Sequence, residues 1–240
     1  MQKQILLLLT VLSAGFISGC KKNNEVPAGS TGKIKSIVYT DYNPTVDPNK
    51  DIFTNTFTYD ASGRIIKIEI APGDYTTYTY TGNAVIYTQS SGCCQPDTIT
   101  LNQQGFAASE YNSSFYTYDA SGHLLTTVIV QPGMPNDSTI NTWLNGNLVT
   151  TTYNNAQITS ISYTFNTGQT DNRNLVPTFW GAGNINLIAT ETVLGTSSMN
   201  KTIKYAYIFD NDGRVASETQ TVFPANGNSY IGQVARYTYY

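Results

Sequence analysis

With 240 residues, a formal charge of −3 and only 12% charged side chains, this chain has no basic surface of the kind that phosphate backbones require. Nucleic acid is therefore excluded as a partner. Its polarity comes from Thr, Asn, Ser and Gln rather than charge, and 18 tyrosines tilt the composition towards β-strand.

The chain opens with Lys3 and an apolar run from Ile5 to Ile17, too short to span a bilayer. The run ends in Ile17-Ser18-Gly19-Cys20, which resembles the lipobox of bacterial lipoproteins. Residues 1–19 then read as a lipoprotein signal peptide, Cys20 as the acylated residue that anchors the chain to a membrane, and 20–32 as a polar tether. An ordinary cleaved signal with an incidental Cys is the alternative.

From residue 33 to 240 the pattern is that of one all-β domain. Phe53, Phe57 and Tyr59 share one face of a strand, and Thr54, Thr56 and Thr58 the other. Ile66, Ile68 and Ile70 alternate with Lys67 and Glu69 in the next. Between these two strands stands Tyr59-Asp60-Ala61-Ser62-Gly63-Arg64-Ile65. The Asp side chain accepts backbone N–H groups, and the Gly takes the left-handed conformation that closes a hairpin. The same unit recurs as Tyr118-Asp119-Ala120-Ser121-Gly122-His123-Leu124 and, degenerate, as Phe209-Asp210-Asn211-Asp212-Gly213-Arg214-Val215. Asn102-Gln103-Gln104-Gly105 repeats the logic with Asn. Thr81-Gly82-Asn83 and Asn145-Gly146 mark two shorter turns.

Counting between these turns predicts an antiparallel up-and-down meander of about sixteen strands, rolled into a barrel-like sheet or flattened. Tight turns near 60, 82, 103, 120, 146 and 211 fall on one rim, and longer loops on the other. The exception on the tight rim is 166–184, whose Leu175, Phe179 and Trp180 either plug the barrel or meet a ligand.

Adjacent Cys93 and Cys94 read either as a vicinal disulfide or as an ordinary loop. Two Cys and one distant His do not make a metal site, and no cofactor is expected. His123 stands where Arg64 and Arg214 stand in the sister units, so it reads as a solvated hairpin residue and not as a catalytic base. Asp210-Asn211-Asp212-Gly213 lacks the later ligands of a calcium loop and reads as a turn. Carboxylates that could serve glycoside hydrolysis, among them Asp41, Asp47, Asp51, Glu110, Asp137 and Glu191, show no paired spacing and fall mostly at loop or outward positions. No catalytic residue is assigned, and the chain reads as a non-enzyme.

The stretch from Phe57 to Ile65 resembles the YD repeat of the Rhs/YD-repeat family. Lipobox, YD-like hairpins, a long Asn- and Pro-bearing loop and a Tyr-rich terminal strand together resemble a family of Bacteroidetes lipoproteins with a porin-like β fold and no assigned activity. The resemblance covers about residues 33–240 and implies an anchored barrel-like domain with no catalytic residues to carry over. It places the protein in the cell envelope at the outer membrane, on either face. The function expected is that of a binding or scaffolding module, with Phe179 and Trp180 contacting a glycan, a small apolar ligand or an envelope protein. An integral outer-membrane barrel is the alternative, and a glycan-acting enzyme a more distant one.

Overall fold

A computed structural model describes residues 32–42, 51–90, 96–111, 113–154 and 157–240. The signal segment, Cys20, nearly all of the tether, Asp47, and Cys93 and Cys94 lie outside the described residues. The first strands are β1 (Ile34–Asp41), β2 (Asp51–Tyr59), β3 (Ile65–Ala71), β4 (Asp74–Thr81), β5 (Ala84–Gln89) and β6 (Asp97–Leu101). Next come β7 (Ala107–Glu110), β8 (Ser114–Tyr118), β9 (Leu124–Ile129), β10 (Asp137–Leu144) and β11 (Asn147–Tyr153). The last are β12 (Ile158–Thr170), β13 (Asn186–Gly195), β14 (Lys201–Phe209), β15 (Val215–Pro224) and β16 (Tyr230–Tyr239).

Each strand pairs antiparallel with its neighbours in sequence, and β16 returns to β1, giving a closed barrel of sixteen strands. The flattened sheet is not formed. Closure gives every one of these strands a partner on both sides.

The inward face is identified by the connection between β12 and β13. Its side chains touch Tyr78 and Tyr80 on β4, Tyr116 on β8, Glu218 on β15 and Tyr237 on β16. One short segment can reach strands so far apart only from inside. Carried along the register, the inward side chains include Tyr39, Phe57, Ile68, Ile99, Tyr163, Ile203 and Tyr205. The outward rows are dominated by Thr and Ser. Neighbouring outward hydroxyls pair across strands, as in Thr117 with Thr126 at 2.6 Å, Thr164 with Thr190 at 2.6 Å and Ser36 with Thr238 at 2.7 Å.

The turn chemistry follows the sequence pattern. Asp60 Oδ1 accepts the N–H groups of Ser62 and Arg64, both at 2.9 Å, and Gly63 sits at φ +75°. Asp119, Asp210 and Asn102 do the same in their hairpins. The repeat reaches further than the turn, into the second strand beyond. The basic residue at the exit binds its Asp and stacks on an aromatic of that strand: Arg64 on Tyr80 at 4.1 Å, His123 on Trp143 at 4.4 Å, Arg214 on Tyr239 at 4.5 Å. The same aromatics donate to the carbonyl of the residue after the basic one: Tyr80 to Ile65 at 2.9 Å, Trp143 to Leu124 at 2.9 Å, Tyr239 to Val215 at 2.8 Å. His123 is thus equivalent to the arginines, yet its side chain is only 13% exposed, because the Trp143 ring covers it. The expectation of a solvated residue is corrected on that point.

A β-bulge follows each of these turns, opposing Tyr59 to Ile65, Tyr118 to Leu124 and Phe209 to Val215. The bulge shifts the period by one residue, so Ile65 joins the core where simple alternation points to Ile66.

Candidate functional site

β12 runs to Thr170, so the long connection begins later than the sequence suggested and spans 171–185. The Asp171 N–H donates to the Ile185 carbonyl at 2.7 Å and closes its neck. The segment then enters the lumen just inside the tight-turn rim. Arg173 is buried there, and its Nε and Nη2 each meet Asp171 at 2.8 Å. Its Nη1 donates to Glu218 and, at 3.0 Å, to the Tyr237 hydroxyl. Burial alone would lower the guanidinium pKa, but its hydrogen bonds to Asp171 and the negative charges of Asp171 and Glu218 raise it.

Leu175 packs against one apolar cluster, built on Ile34, Ile37, Phe57, Tyr59 and Ile65. Pro177 leads into a single 3₁₀ turn, Thr178–Trp180. That turn drives Phe179 into a second cluster formed by Val85, Ile99 and Ala107. Gly181, at φ +97°, passes so close to the 118–122 hairpin that a Cβ there would stand 2.5 Å from the Gly122 carbonyl oxygen. The Ala182 N–H binds that same oxygen at 2.8 Å. Asn184 Oδ1 accepts the Leu148 N–H at 2.7 Å, and the Ile185 N–H donates to Gly146 at 3.1 Å. The connection is tied to two neighbouring hairpins and sits inside the tight-turn rim as a plug.

Besides a space of about 500 Å³ lined mainly by the plug's own residues, two smaller pockets lie beside it. One, of about 240 Å³, is lined by Thr76, Tyr78, Tyr87, Gln89, Ile99, Glu110 and Trp180. The other, of about 260 Å³, lies around Arg173, Glu218, Tyr39, Tyr205, Tyr207 and Gln233. Phe179 and Trp180, paired in the sequence reading, divide here: Phe179 is 2% exposed within the core, whereas Trp180 lines the first pocket.

Glu110 and Glu191 correct the expectation of outward or loop positions. Glu110 shares the inward phase of Ile99, and Glu191 that of Ile203. The Tyr87 and Tyr116 hydroxyls donate to Glu110 at 2.8 and 3.0 Å, and Tyr205 donates to Glu191 at 3.0 Å. Burial, then Glu110, pushes the Tyr116 phenol up to about 12. Tyr87 is raised further, by burial first and then by its bonds to Tyr111 and Glu110. Arg173, Tyr78 and Tyr87 were not singled out from sequence; the tyrosine alternation carried a signal for the latter two, and Arg173 carried none.

No protein-family model and no curated protein matches this sequence. Among solved structures, a porin-like protein from Bacteroides uniformis ATCC 8492 superposes with a TM-score of 0.66 at 16% identity, over 88% of this chain and 99% of that one. The fold is porin-like. Identity this low speaks for the fold and for nothing finer. The TcdB2-TccC3 structure aligns over 75% of this chain and 10% of its own at 16% identity, with a TM-score of 0.31, too loose to carry an argument. Within the porin-like barrel, the expected all-β meander of sixteen strands is present in full.

Proposed function

We propose that this protein is a non-catalytic binding module of the cell envelope, anchored by a lipid on Cys20, which takes a small molecule into its barrel beside the plug. The observation that carries the reading is the polarity of the wall. Tyrosines and aliphatic side chains point inward, while Thr and Ser rows point outward. A barrel embedded in lipid needs the reverse, an outward apolar band about 25 Å tall. A barrel with this polarity is suited to water, and a lipid on Cys20 would then supply the membrane attachment.

The tether meets the barrel at Lys33, beside the tight-turn rim that the plug closes. Thirteen residues from 20 to 32 span at most roughly 45 Å. The plugged rim would then lie towards the outer membrane, and the opposite rim towards the solvent.

The test is fractionation and native mass spectrometry of the unaltered chain and a Cys20→Ala variant. The variant should leave the membrane fraction and stay monomeric without detergent, and the unaltered protein should carry a small molecule that Trp180→Ala releases. A Cys20→Ala chain that still demands detergent would instead support an integral barrel. A protein that co-purifies with one partner and no small molecule would make it a scaffold.

A further inference from the structure

The pocket beside Trp180 has a chemistry of its own. Glu110 is oriented by two tyrosine hydroxyls, yet no ion pair among the described residues reaches it. Hydroxyl donors position a carboxylate but leave its charge uncompensated, which is costly in a half-buried lumen. Arg173, a buried guanidinium in the lumen, is engaged by Asp171 and Glu218 around the other pocket. Around Glu110 stand Tyr78, Tyr87 and Trp180, three aromatic side chains lining a space of about 240 Å³.

Aromatic walls beside an unpaired carboxylate suit a positive charge, because ring quadrupoles and the carboxylate attract it together. An anion would be repelled by Glu110. A neutral ligand would leave the carboxylate uncompensated.

We infer that this pocket binds a small organic cation of the alkylammonium class, with Glu110 as its counter-charge and Tyr78, Tyr87 and Trp180 as its walls. This rests on the reading of the barrel as a binding module and names the ligand for it.

The experiment is calorimetric titration of the full-length protein with choline and, separately, with 3,3-dimethylbutan-1-ol, its neutral carbon isostere. Choline should bind and the alcohol should bind about tenfold or more weakly, the equivalent of about 1.4 kcal/mol. Glu110→Gln should weaken choline by a similar factor and leave the alcohol unaffected. Trp180→Phe, which keeps a ring, should bind choline better than Trp180→Ala.

Equal binding of choline and the alcohol, or unchanged choline binding by Glu110→Gln, would overturn the cation inference and leave a lumenal site for a neutral ligand. The comparison of the two ligands on unaltered protein stands even if a variant fails to fold. If neither ligand binds but native mass spectrometry still finds a molecule that Trp180→Ala releases, the cation inference falls alone. If it finds none, the binding reading falls with it.

Discussion

The strongest test of the plug is Arg173→Met. In the native barrel the guanidinium satisfies Asp171 through two parallel bonds at 2.8 Å, and Glu218 and Tyr237 through its remaining arm. The Glu218 side chain is 8% exposed and that of Asp171 18%. Methionine fills much of the same volume but leaves Glu218 as a buried charge with no opposite charge beside it, held by the Gln220 amide alone at 2.9 Å. Breaking a buried pair from one side costs roughly 3–5 kcal/mol, a large share of the 5–15 kcal/mol that typically holds a domain together. Replacing both partners by apolar side chains removes that penalty, so Arg173→Met with Glu218→Met should recover most of the loss. Arg173→Lys keeps a charge but not the planar fork, and should fall between the parent and Arg173→Met. Urea unfolding followed by tryptophan fluorescence measures all four proteins. If Arg173→Met unfolds within about 0.5 kcal/mol of the parent, as substitutions away from any buried network do, the ion network does not hold the plug. If the double variant is no better than the single one, the loss does not come from the stranded Glu218 charge.

Three further outcomes are expected. Phe179→Ala should cost roughly 3–5 kcal/mol, since its ring is sealed in the core, whereas Trp180→Ala should cost clearly less; equal costs in a denaturation series would contradict the division of the two residues. Burial pushes the Tyr59, Tyr80, Tyr116 and Tyr163 phenols from 10.0 up to about 12. A raised folded pKa means that the native state holds the proton more tightly, so stability is full below pH 10 and drains as pH climbs through 12; followed one by one by NMR of ring-labelled tyrosine, these four phenols should ionise together with the loss of the circular dichroism signal, and their ionisation near 10 in an intact barrel would refute this. A circular permutant that joins residue 240 to residue 32 through an Asp-x-x-Gly turn and opens between 103 and 104 should fold and melt close to the parent, because the seam already has hairpin geometry.

That geometry lies in the hydrogen bonds where β16 meets β1. The Tyr240 N–H donates to the Lys33 carbonyl at 3.0 Å, as Asp60 N–H does to Arg64 at 3.0 Å. Tyr59 donates to the Ile34 carbonyl at 2.8 Å, and Lys33 lies over its ring at 5.7 Å, which repeats the Tyr80, Ile65 and Arg64 arrangement. Chain ends therefore close the ring with the same unit that builds it.

Much of the barrel was legible because its rules are local. An Asp accepting N–H groups two and four residues on, with a left-handed Gly between them, is written in five residues, and so the turns and the strand number could be counted. Two kinds of feature were not legible. The bulges shift the period by one residue, which hides Ile65 behind Ile66. Partners that meet through space, such as Arg173 with Glu218 or Glu110 with Tyr87, leave no spacing to read, and His123 looked solvated because Trp143 lies twenty residues away.

The width of the ring explains why one turn departs from the pattern. Sixteen-stranded barrels are wide enough that porins of this size enclose a water-filled channel. Here the inward apolar side chains form two separate clusters on different arcs of the wall, one around Ile37 and Phe57 and the other around Val85 and Ile99. Another tight Asp-x-x-Gly turn between β12 and β13 would leave those clusters facing water. The longer connection places Leu175 on one and Phe179 on the other, four residues apart in a single segment. It completes the core near the tight-turn rim, and what remains beside it is lined with tyrosines and carboxylates. The same break in the repeat that seals the core therefore creates the pocket in which Trp180 stands beside Glu110.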